Sequence, residues 1–258
     1  MSINFGATIP MANLQILLDF NNTRCYPGTG TTFSNLVGSA SGGNGYLKGS
    51  VTNTTKNGNT VLQPNGDQTG VANYVGDRID IDTSAGGVDR FSKDNSFTHM
   101  FWVNLISGSG KLFSTGSAGA TGTDNCIWQM WISNGTYYWW NTSGGGANNI
   151  SAGFTPIDTG TFYLIAVTFE SGGAGGTNYA RVYIDGELAG TGSIAYNTHS
   201  AIDRSGQSNI QWTLGGGYNS SCVNTNVVAQ YGMYALYNRK LESDEILKVY
   251  NATKGKYK

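Results

Sequence analysis

Three aspartates near residue 80 come closest to a spacing that could perform acid–base chemistry. Asp77, Asp80 and Asp82 lie at offsets of zero, three and five along the chain. Hydrolysis of a glycosidic bond needs two carboxyl groups that flank the bond, and only Asp80 and Asp82 would share one face of a strand. A third carboxylate five residues after Asp80 would extend this row, but that position is Ala85. The spacing therefore does not support glycoside hydrolysis.

Asp80 and Asp82 are also the candidate metal ligands of the chain. Calcium is held by carboxylate and backbone carbonyl oxygens, and the D-x-D pattern presents two carboxylates side by side. Alternating acidic residues on a strand are equally common as a solvated face, so both interpretations stay open. No other cofactor is expected, because Cys25, Cys126 and Cys222 include no C-x-x-C pair and their odd number does not suit a disulfide scaffold.

Neither histidine indicates a catalytic centre. His99 and His199 are outside any H-E-x-x-H motif, and the chain has no G-x-S-x-G motif and no phosphate loop between a strand and a helix. His99 lies within an alternating apolar segment, which favours a strand residue over a catalytic base. The sequence therefore predicts no catalytic residues and no enzymatic activity.

An aromatic hairpin spans residues 127–140. Asn134-Gly135 is the dipeptide that two-residue type I′ turns prefer, so Ser133 should pair with Thr136 and the rest of the register follows. One face is predicted to point to the core and carries Trp128, Met130, Ile132, Tyr137 and Trp139. The opposite face carries Gln129, Trp131, Tyr138 and Trp140.

The second set, Gln129, Trp131, Tyr138 and Trp140, is the candidate ligand-binding or interface site. Its flat rings could stack on sugar rings while the amide of Gln129 supplies a hydrogen bond. The same rings could instead dock on a neighbouring protein, or be covered by a loop or helix of this chain. All three alternatives are consistent with the sequence.

Short strands separated by turn residues must position these groups. Clusters of Gly, Asn, Ser and Thr fall between alternating apolar runs, and charged residues make up only 12% of the chain, which is typical of all-β proteins. We predict strands at 13–20, 57–67, 74–82, 97–104, 162–169 and 210–214, hairpins at 127–140 and 181–189, and a loop over 21–45.

A single helical period is found near the C-terminus. Leu241, Ile246, Val249 and Tyr250 recur at the spacing of one helical face, which predicts a helix over residues 243–251. Glu242 occupies its N-cap position, where Ser or Asp would accept a backbone N–H better, so we expect a weak cap.

Length and charge limit the classes of partner. The 258 residues suffice for one large core without a linker, so we expect one domain over 1–258 with an N-terminal arm at 1–12. The net charge of −1 leaves no electrostatic footprint for nucleic acid. The sequence shows no signal peptide and no run approaching the roughly 20 apolar residues of a membrane span, so we expect no membrane partner and a product that stays soluble where it is made.

The C-terminal strand and helix carry a family resemblance. Leu236-Tyr237-Asn238-Arg239 at the end of a strand, followed by Leu241 and Glu245-Ile246, resembles the closing signature of laminin-G-like, concanavalin A-type jelly rolls. Two interior segments are similar to strands of the same family, Phe97-Thr98-His99-Met100-Phe101-Trp102-Val103 and Val182-Tyr183-Ile184-Asp185-Gly186-Glu187-Leu188. Laminarinase-type glycosidases share this fold, but their E-x-D-x-x-E strand is absent here.

The opening of the chain resembles one branch of that family. Leu17-Leu18-Asp19-Phe20-Asn21, Arg24-Cys25-Tyr26-Pro27-Gly28-Thr29-Gly30-Thr31-Thr32 and Asn35-Leu36 look like the start of jelly rolls common in tailed-bacteriophage virion proteins. The closing Asn251-Ala252-Thr253-Lys254-Gly255-Lys256-Tyr257 is similar to the end of the same proteins. The resemblance therefore extends over nearly the whole chain.

The resemblance implies a fold and a function. The expected fold is an all-β, two-sheet antiparallel jelly-roll sandwich with one short C-terminal helix. The expected function is that of a virion structural protein on the particle surface, either a capsid decoration protein or a tail or fibre component. Such a protein docks on other virion proteins. It is expected to form a homo-oligomer and to assemble in the host cytoplasm. The alternative is a lectin-like carbohydrate-binding module that attaches to a host glycan. Capsid or tail location, symmetry, host and glycan identity stay open.

Overall fold

The computed structural model of the protein describes residues 9–38, 42–65, 77–82, 95–108, 110–117, 126–133, 136–140, 150–155, 157–195, 210–215 and 227–258. Its strands in chain order are β1 Leu14–Asp19, β2 Thr32–Phe33, β3 Gly45–Lys48, β4 Thr52–Lys56, β5 Asn59–Gln63, β6 Arg78–Asp82, β7 Phe97–Ser107, β8 Gly110–Ser117, β9 Cys126–Ser133, β10 Thr136–Trp140, β11 Phe162–Glu170, β12 Thr177–Ile184, β13 Glu187–Ala195, β14 Ile210–Leu214 and β15 Val228–Tyr237. One helix, α1 Ser243–Tyr257, follows them.

The strands form two antiparallel sheets. Sheet A has the order β13-β12-β11-β7-β15-β5-β4, with β1 also paired to β15, and sheet B has the order β10-β9-β8-β14-β6-β3-β2. Strand β15 pairs with β7 along one edge, while β1 and β5 share its other edge. The predicted two-sheet antiparallel sandwich with one C-terminal helix is thereby confirmed.

Alternation along β7 explains why the chain has two apolar layers. Phe97, Phe101 and Val103 join the core between the two sheets. Met100 and Trp102, which alternate with them, join a second cluster on the outer face of sheet A. A strand that is apolar on both faces suits the middle of a sheet that is covered on both sides, and β7 lies between β11 and β15.

One side chain of strand β1, that of Leu14, lies on the opposite face of the sheet from the one that the sequence predicts. Leu14, Ile16 and Leu18 alternate along the strand predicted at 13–20, a pattern that predicts one shared face. Ile16 and Leu18 lie in the core between the sheets, but Leu14 belongs to the outer cluster. The register against β15 shifts between Leu14 and Ile16, and a bulge of this kind turns the next side chain to the other face.

Other element boundaries also differ from the prediction. The loop expected over 21–45 contains β2 and reaches the first residue of β3, and the strand expected at 57–67 is one arm of a β4–β5 hairpin. Its turn is Asn57-Gly58, with both residues at positive φ, the same type I′ dipeptide as in the aromatic hairpin. Strand β8 was not predicted, and the helix continues to Tyr257 rather than ending at 251.

The N-terminal arm is partly integrated into the fold. Ile9 is buried in the outer cluster of sheet A, whereas Met11 is exposed. The rest of the predicted arm, residues 1–8, lies outside the described residues.

Candidate functional site

Helix α1 covers the outer face of sheet A. The indole Nε1 of Trp102 on β7 donates a hydrogen bond of 2.8 Å to Oγ1 of Thr253 on the helix. The ring of Tyr257 lies 4.9 Å from that of Trp102 and 5.4 Å from that of Phe162. The part of sheet A under the helix is therefore occupied by the chain itself and does not offer a ligand surface.

The opening and closing segments that carry the family resemblance contact each other. Nζ of Lys256 lies 2.7 Å from Oδ2 of Asp19, whose side chain is only 3% exposed. Asn59 donates from its amide to the carbonyl of Lys256 at 2.9 Å and accepts from Asn21 at 2.8 Å. A side chain at Gly232 would run into the ring of Tyr257. These residues hold the end of the helix on the sheet, which gives the opening and closing motifs a structural role.

The start of the helix is fixed in a similar way. Arg239 binds both carboxylate oxygens of Glu245 at 2.6 and 2.7 Å, and this bond lowers the pKa of Glu245 to about 2. The same carboxylate accepts the backbone N–H of Glu242 at 3.0 Å, as in a capping box. Glu242 itself makes no side-chain cap hydrogen bond, as its residue type predicts, and the glutamate three residues later, which the sequence prediction did not consider, supplies the bond at the helix start.

Sheet B carries a row of buried polar side chains on its outer face, opposite the core. Oγ of Ser114 on β8 lies 2.7 Å from Oγ1 of Thr213 on β14, and Thr213 pairs in register with Asp80 on β6. All three residues are at most 2% exposed. The neighbouring core positions are Phe113, Leu214, Ile79 and Ile81.

Asp80 forms a buried ion pair with Arg78. Nε of Arg78 lies 2.6 Å from Oδ1 of Asp80, and Nη2 lies 3.2 Å from Oδ2. The pKa of Asp80 is nevertheless raised, because loss of solvation outweighs the attraction of Arg78. A buried pair of this kind contributes little net stability but is costly to break, so its main role is to fix the middle of the face.

The hydrogen bonds of Asp77 and Asp80 concern both roles considered for these aspartates, glycoside hydrolysis and calcium binding. Both oxygens of Asp80 already accept hydrogen bonds from Arg78, and Oδ1 of Asp77 accepts the backbone N–H of Ser50 at 2.5 Å. No group of three or more His, Cys, Asp or Glu side chains able to hold a metal occurs within the described ranges. Asp82 ends β6, and its side chain lies outside the described residues.

The predicted register of the aromatic hairpin is confirmed. Ser133 pairs with Thr136, Trp131 with Tyr138 and Gln129 with Trp140. Met130 is buried in the core between the sheets, so positions 129 and 131 lie on the outer face of sheet B by alternation. Among the described strands β10 ends that sheet, so positions 138 and 140 lie at its edge and positions 129 and 131 lie on the next strand, β9. The four side chains themselves lie outside the described residues.

Two exposed residues near the opposite edge were not predicted from the sequence. Tyr46 on β3 is 43% exposed, and Nζ of Lys48 lies 5.5 Å from the centre of its ring. Gly45 and Leu47 are buried while Tyr46 and Lys48 are exposed. The sequence shows this alternation of small or apolar and polar residues, but its first residue belongs to the loop predicted over 21–45.

A groove of about 480 Å³ lies between helix α1 and the β12–β13 turn. Its apolar walls include Leu188 and Leu247, which are 57% and 42% exposed. At its rim, Lys258 forms an ion pair of 2.5 Å with Asp185. The groove is on the sheet A side and contains none of the candidate site residues predicted from the sequence. No helix in the described part of the chain is long and apolar enough to cross a membrane.

Two antiparallel sheets around one core, closed by a C-terminal helix, define the class of lectin-like jelly-roll sandwiches. The chain belongs to the Concanavalin A-like lectin/glucanases superfamily, whose family model matches residues 76–247. This confirms the jelly-roll family expected from the sequence. No curated protein sequence matches the chain.

Solved structures with the same fold include toxin binding domains. The binding domain of Paraclostridial Mosquitocidal Protein 1 is similar with a TM-score of 0.64 and 16% identity over 93% of this chain and 52% of that one. The binding domain of Botulinum Neurotoxin DC in complex with SialylT gives a TM-score of 0.63 at 12% identity, over 93% and 51%. Trypanosoma rangeli sialidase with the inhibitor DANA gives 0.58 at 14%, over 97% and 34%. The chain thus spans about half of the toxin domains and a third of the sialidase, and at these identities the likeness concerns the fold alone.

Proposed function

We propose that this protein is a non-catalytic structural protein on the surface of a tailed-bacteriophage virion, either a capsid decoration protein or a tail or fibre component. It docks on neighbouring virion proteins through the outer face of sheet B at the β9–β10 edge. It assembles in the host cytoplasm as a homo-oligomer.

The observation that carries this proposal is the set of aromatic positions at the β9–β10 edge of sheet B, on the side away from the core. Helix α1 occupies the outer face of sheet A, where Trp102 bonds to Thr253. The confirmed register of β9 and β10 brings Trp131, Tyr138 and Trp140 to adjacent positions at the edge of sheet B. Aromatic residues clustered in this way are the usual anchors of protein interfaces.

The phage assignment is supported by the resemblance of the opening and closing segments. These two segments contact each other in the fold through Asp19 and Lys256. The non-catalytic assignment is supported by the structural bonds that Asp77 and Asp80 make. Incubation with laminarin should release no reducing ends, whereas cleavage that is lost in an Asp80→Ala, Asp82→Ala variant would overturn this part.

Docking is tested by adding the protein to particles that lack it and measuring co-sedimentation. Trp131→Ala and Trp140→Ala should each weaken association by about 2 kcal/mol or more while the protein stays folded. Tyr179→Ala is the matched control, because Tyr179 is an exposed aromatic residue, 37% exposed, on β12 of sheet A. Unchanged association together with a stability loss of about 3 to 5 kcal/mol would show that the two tryptophans are core residues and would refute the docking face.

A second candidate function is attachment to a host glycan. It is favoured by the exposed ring of Tyr46 beside Lys48 and by the amide of Gln129 among aromatic positions. One protein of similar fold is a toxin binding domain in complex with SialylT, which makes sialylated glycans a suitable first probe. A glycan array with the isolated protein tests this function separately from docking.

A further inference from the structure

Tyr46 forms a partly exposed aromatic platform on the outer face of sheet B, with Nζ of Lys48 over its ring. Leu47 lies in the core between the sheets, so Tyr46 points away from the core and is 43% exposed. In register it stands between Thr32 on β2 and Asp80 on β6. With a neighbouring strand on each side, the backbone beneath the ring is fixed before any ligand arrives, which lowers the entropy cost of binding.

The charge next to this platform is positive. Nζ of Lys48 lies 5.5 Å from the ring centre, and Lys48 is exposed. Arg78, its partner across the strands, is already neutralised by Asp80 at 2.6 Å. Among the described residues, Lys48 has no carboxylate within ion-pair distance. Its ammonium group attracts the carboxylate of Asp80, though less than Arg78 does, and because Lys48 is exposed it can also contact an anionic ligand.

We propose that Tyr46 and Lys48 form a subsite for a carboxylate-bearing pyranose, in which the sugar ring stacks on the phenol ring and the carboxylate binds the Lys48 ammonium group. Sialic acids and uronic acids share this chemistry. The subsite deepens the glycan-binding function and rests on it. It is independent of docking through the β9–β10 edge, because β3 and β10 are five strand spacings apart in sheet B, or about 24 Å.

The chain contains a built-in comparison for this subsite. Tyr179 is 37% exposed, and the guanidinium carbon of Arg181 lies 5.3 Å from its ring centre. The aromatic and cationic groups are thus arranged much as in the Tyr46–Lys48 subsite. The difference is that Arg181 is held by Glu170 at 2.7 Å, so its charge is already matched. If an aromatic ring beside any cation were sufficient, both places would bind the same sugar.

The test is a ligand titration of the full chain by NMR. The probes are 3′-sialyllactose, a hyaluronan tetrasaccharide for uronic acid, and lactose as the neutral control. We expect at least one acidic probe to bind and lactose to bind much more weakly, and the acidic probe that binds identifies the source of the carboxylate. Binding should weaken when salt rises from 0.05 to 0.5 M, because the contact with Lys48 is exposed and screened.

Variants assign the binding to these residues. Tyr46→Ala should abolish binding, Tyr46→Phe should preserve it, and Lys48→Gln should weaken the acidic probe about fivefold, the upper range for one exposed ion pair. Tyr179→Ala should change nothing. The inference is overturned if no probe binds, if lactose binds as well as the acidic probes, or if Lys48→Gln leaves acidic-probe affinity unchanged. Failure in these titrations leaves the co-sedimentation result for Trp131 and Trp140 intact, so the two proposals fail separately.

Discussion

His99 should make the protein sensitive to mild acid. Its side chain is fully buried in the core, 4.4 Å from the ring of Phe113 and beside Phe101 and Tyr234. Burial lowers the pKa of this imidazole from 6.5 to about 3. Between these two pH values the unfolded chain binds a proton that the folded protein does not, so the free energy of unfolding decreases as the pH falls. The decrease is about 1.4 kcal/mol per pH unit, or about 5 kcal/mol over the whole interval.

The measurement is urea unfolding at pH 7, 6 and 5, followed by tryptophan fluorescence, for the wild type and for His99→Leu. From pH 7 to pH 5 the wild type should lose about 2 kcal/mol more than the variant. Carboxylates that titrate in the same range are common to both proteins and cancel in the comparison. The variant can be less stable at pH 7 without affecting the test, because the test is the difference in slope. Parallel curves would refute the argument that the imidazole is kept neutral by burial.

Three further outcomes are expected. Thr253→Val removes the hydroxyl that accepts the hydrogen bond of the buried Trp102 indole and should lower the free energy of unfolding by about 1 to 3 kcal/mol. Thr253→Ser keeps the hydroxyl, so an equal loss in that variant would contradict this explanation. Asp80→Asn leaves Arg78 buried without its counter-charge and should cost about 3 to 5 kcal/mol in a thermal or urea unfolding experiment, an expectation that an unchanged melting temperature would rule out. Limited proteolysis should leave one resistant core over residues 12–252, and two stable halves would disprove a single cooperative domain.

The sequence predicts those features that depend on neighbours along the chain. Alternation in β7 correctly separates Phe97 and Phe101 from Met100 and Trp102, because a strand has a period of two whatever packs on it. The Asn134-Gly135 and Asp185-Gly186 dipeptides predict their hairpins, because the two-residue turns that such dipeptides prefer match the twist of the flanking strands. The turn at Asn57-Gly58 carries the same signal, but its flanking Thr, Asn and Lys residues show little apolar alternation.

The features that the sequence misses depend on distant partners. The bulge that turns Leu14 outward follows from its pairing with β15, more than 200 residues away in the chain. The register of the candidate aromatic site was predictable because β9 and β10 are joined by a two-residue turn. The exposed position of Tyr46 was not predicted, because an alternation of only four residues is a weak strand signal and the pairing of β3 with β2 and β6 is what identifies this segment as a strand.

The position of β15 has a consequence for synthesis of the chain. It leaves the ribosome after the other described strands, yet it lies inside sheet A, with β7 on one edge and β1 and β5 on the other. A nascent chain that ends before residue 228 therefore leaves β7, β1 and β5 with unpaired backbone groups, which are templates for aggregation. Contacts this distant in sequence also make folding slow. Cells should accumulate chains truncated before residue 228 as insoluble material, and only chains that include β15 should yield a folded domain.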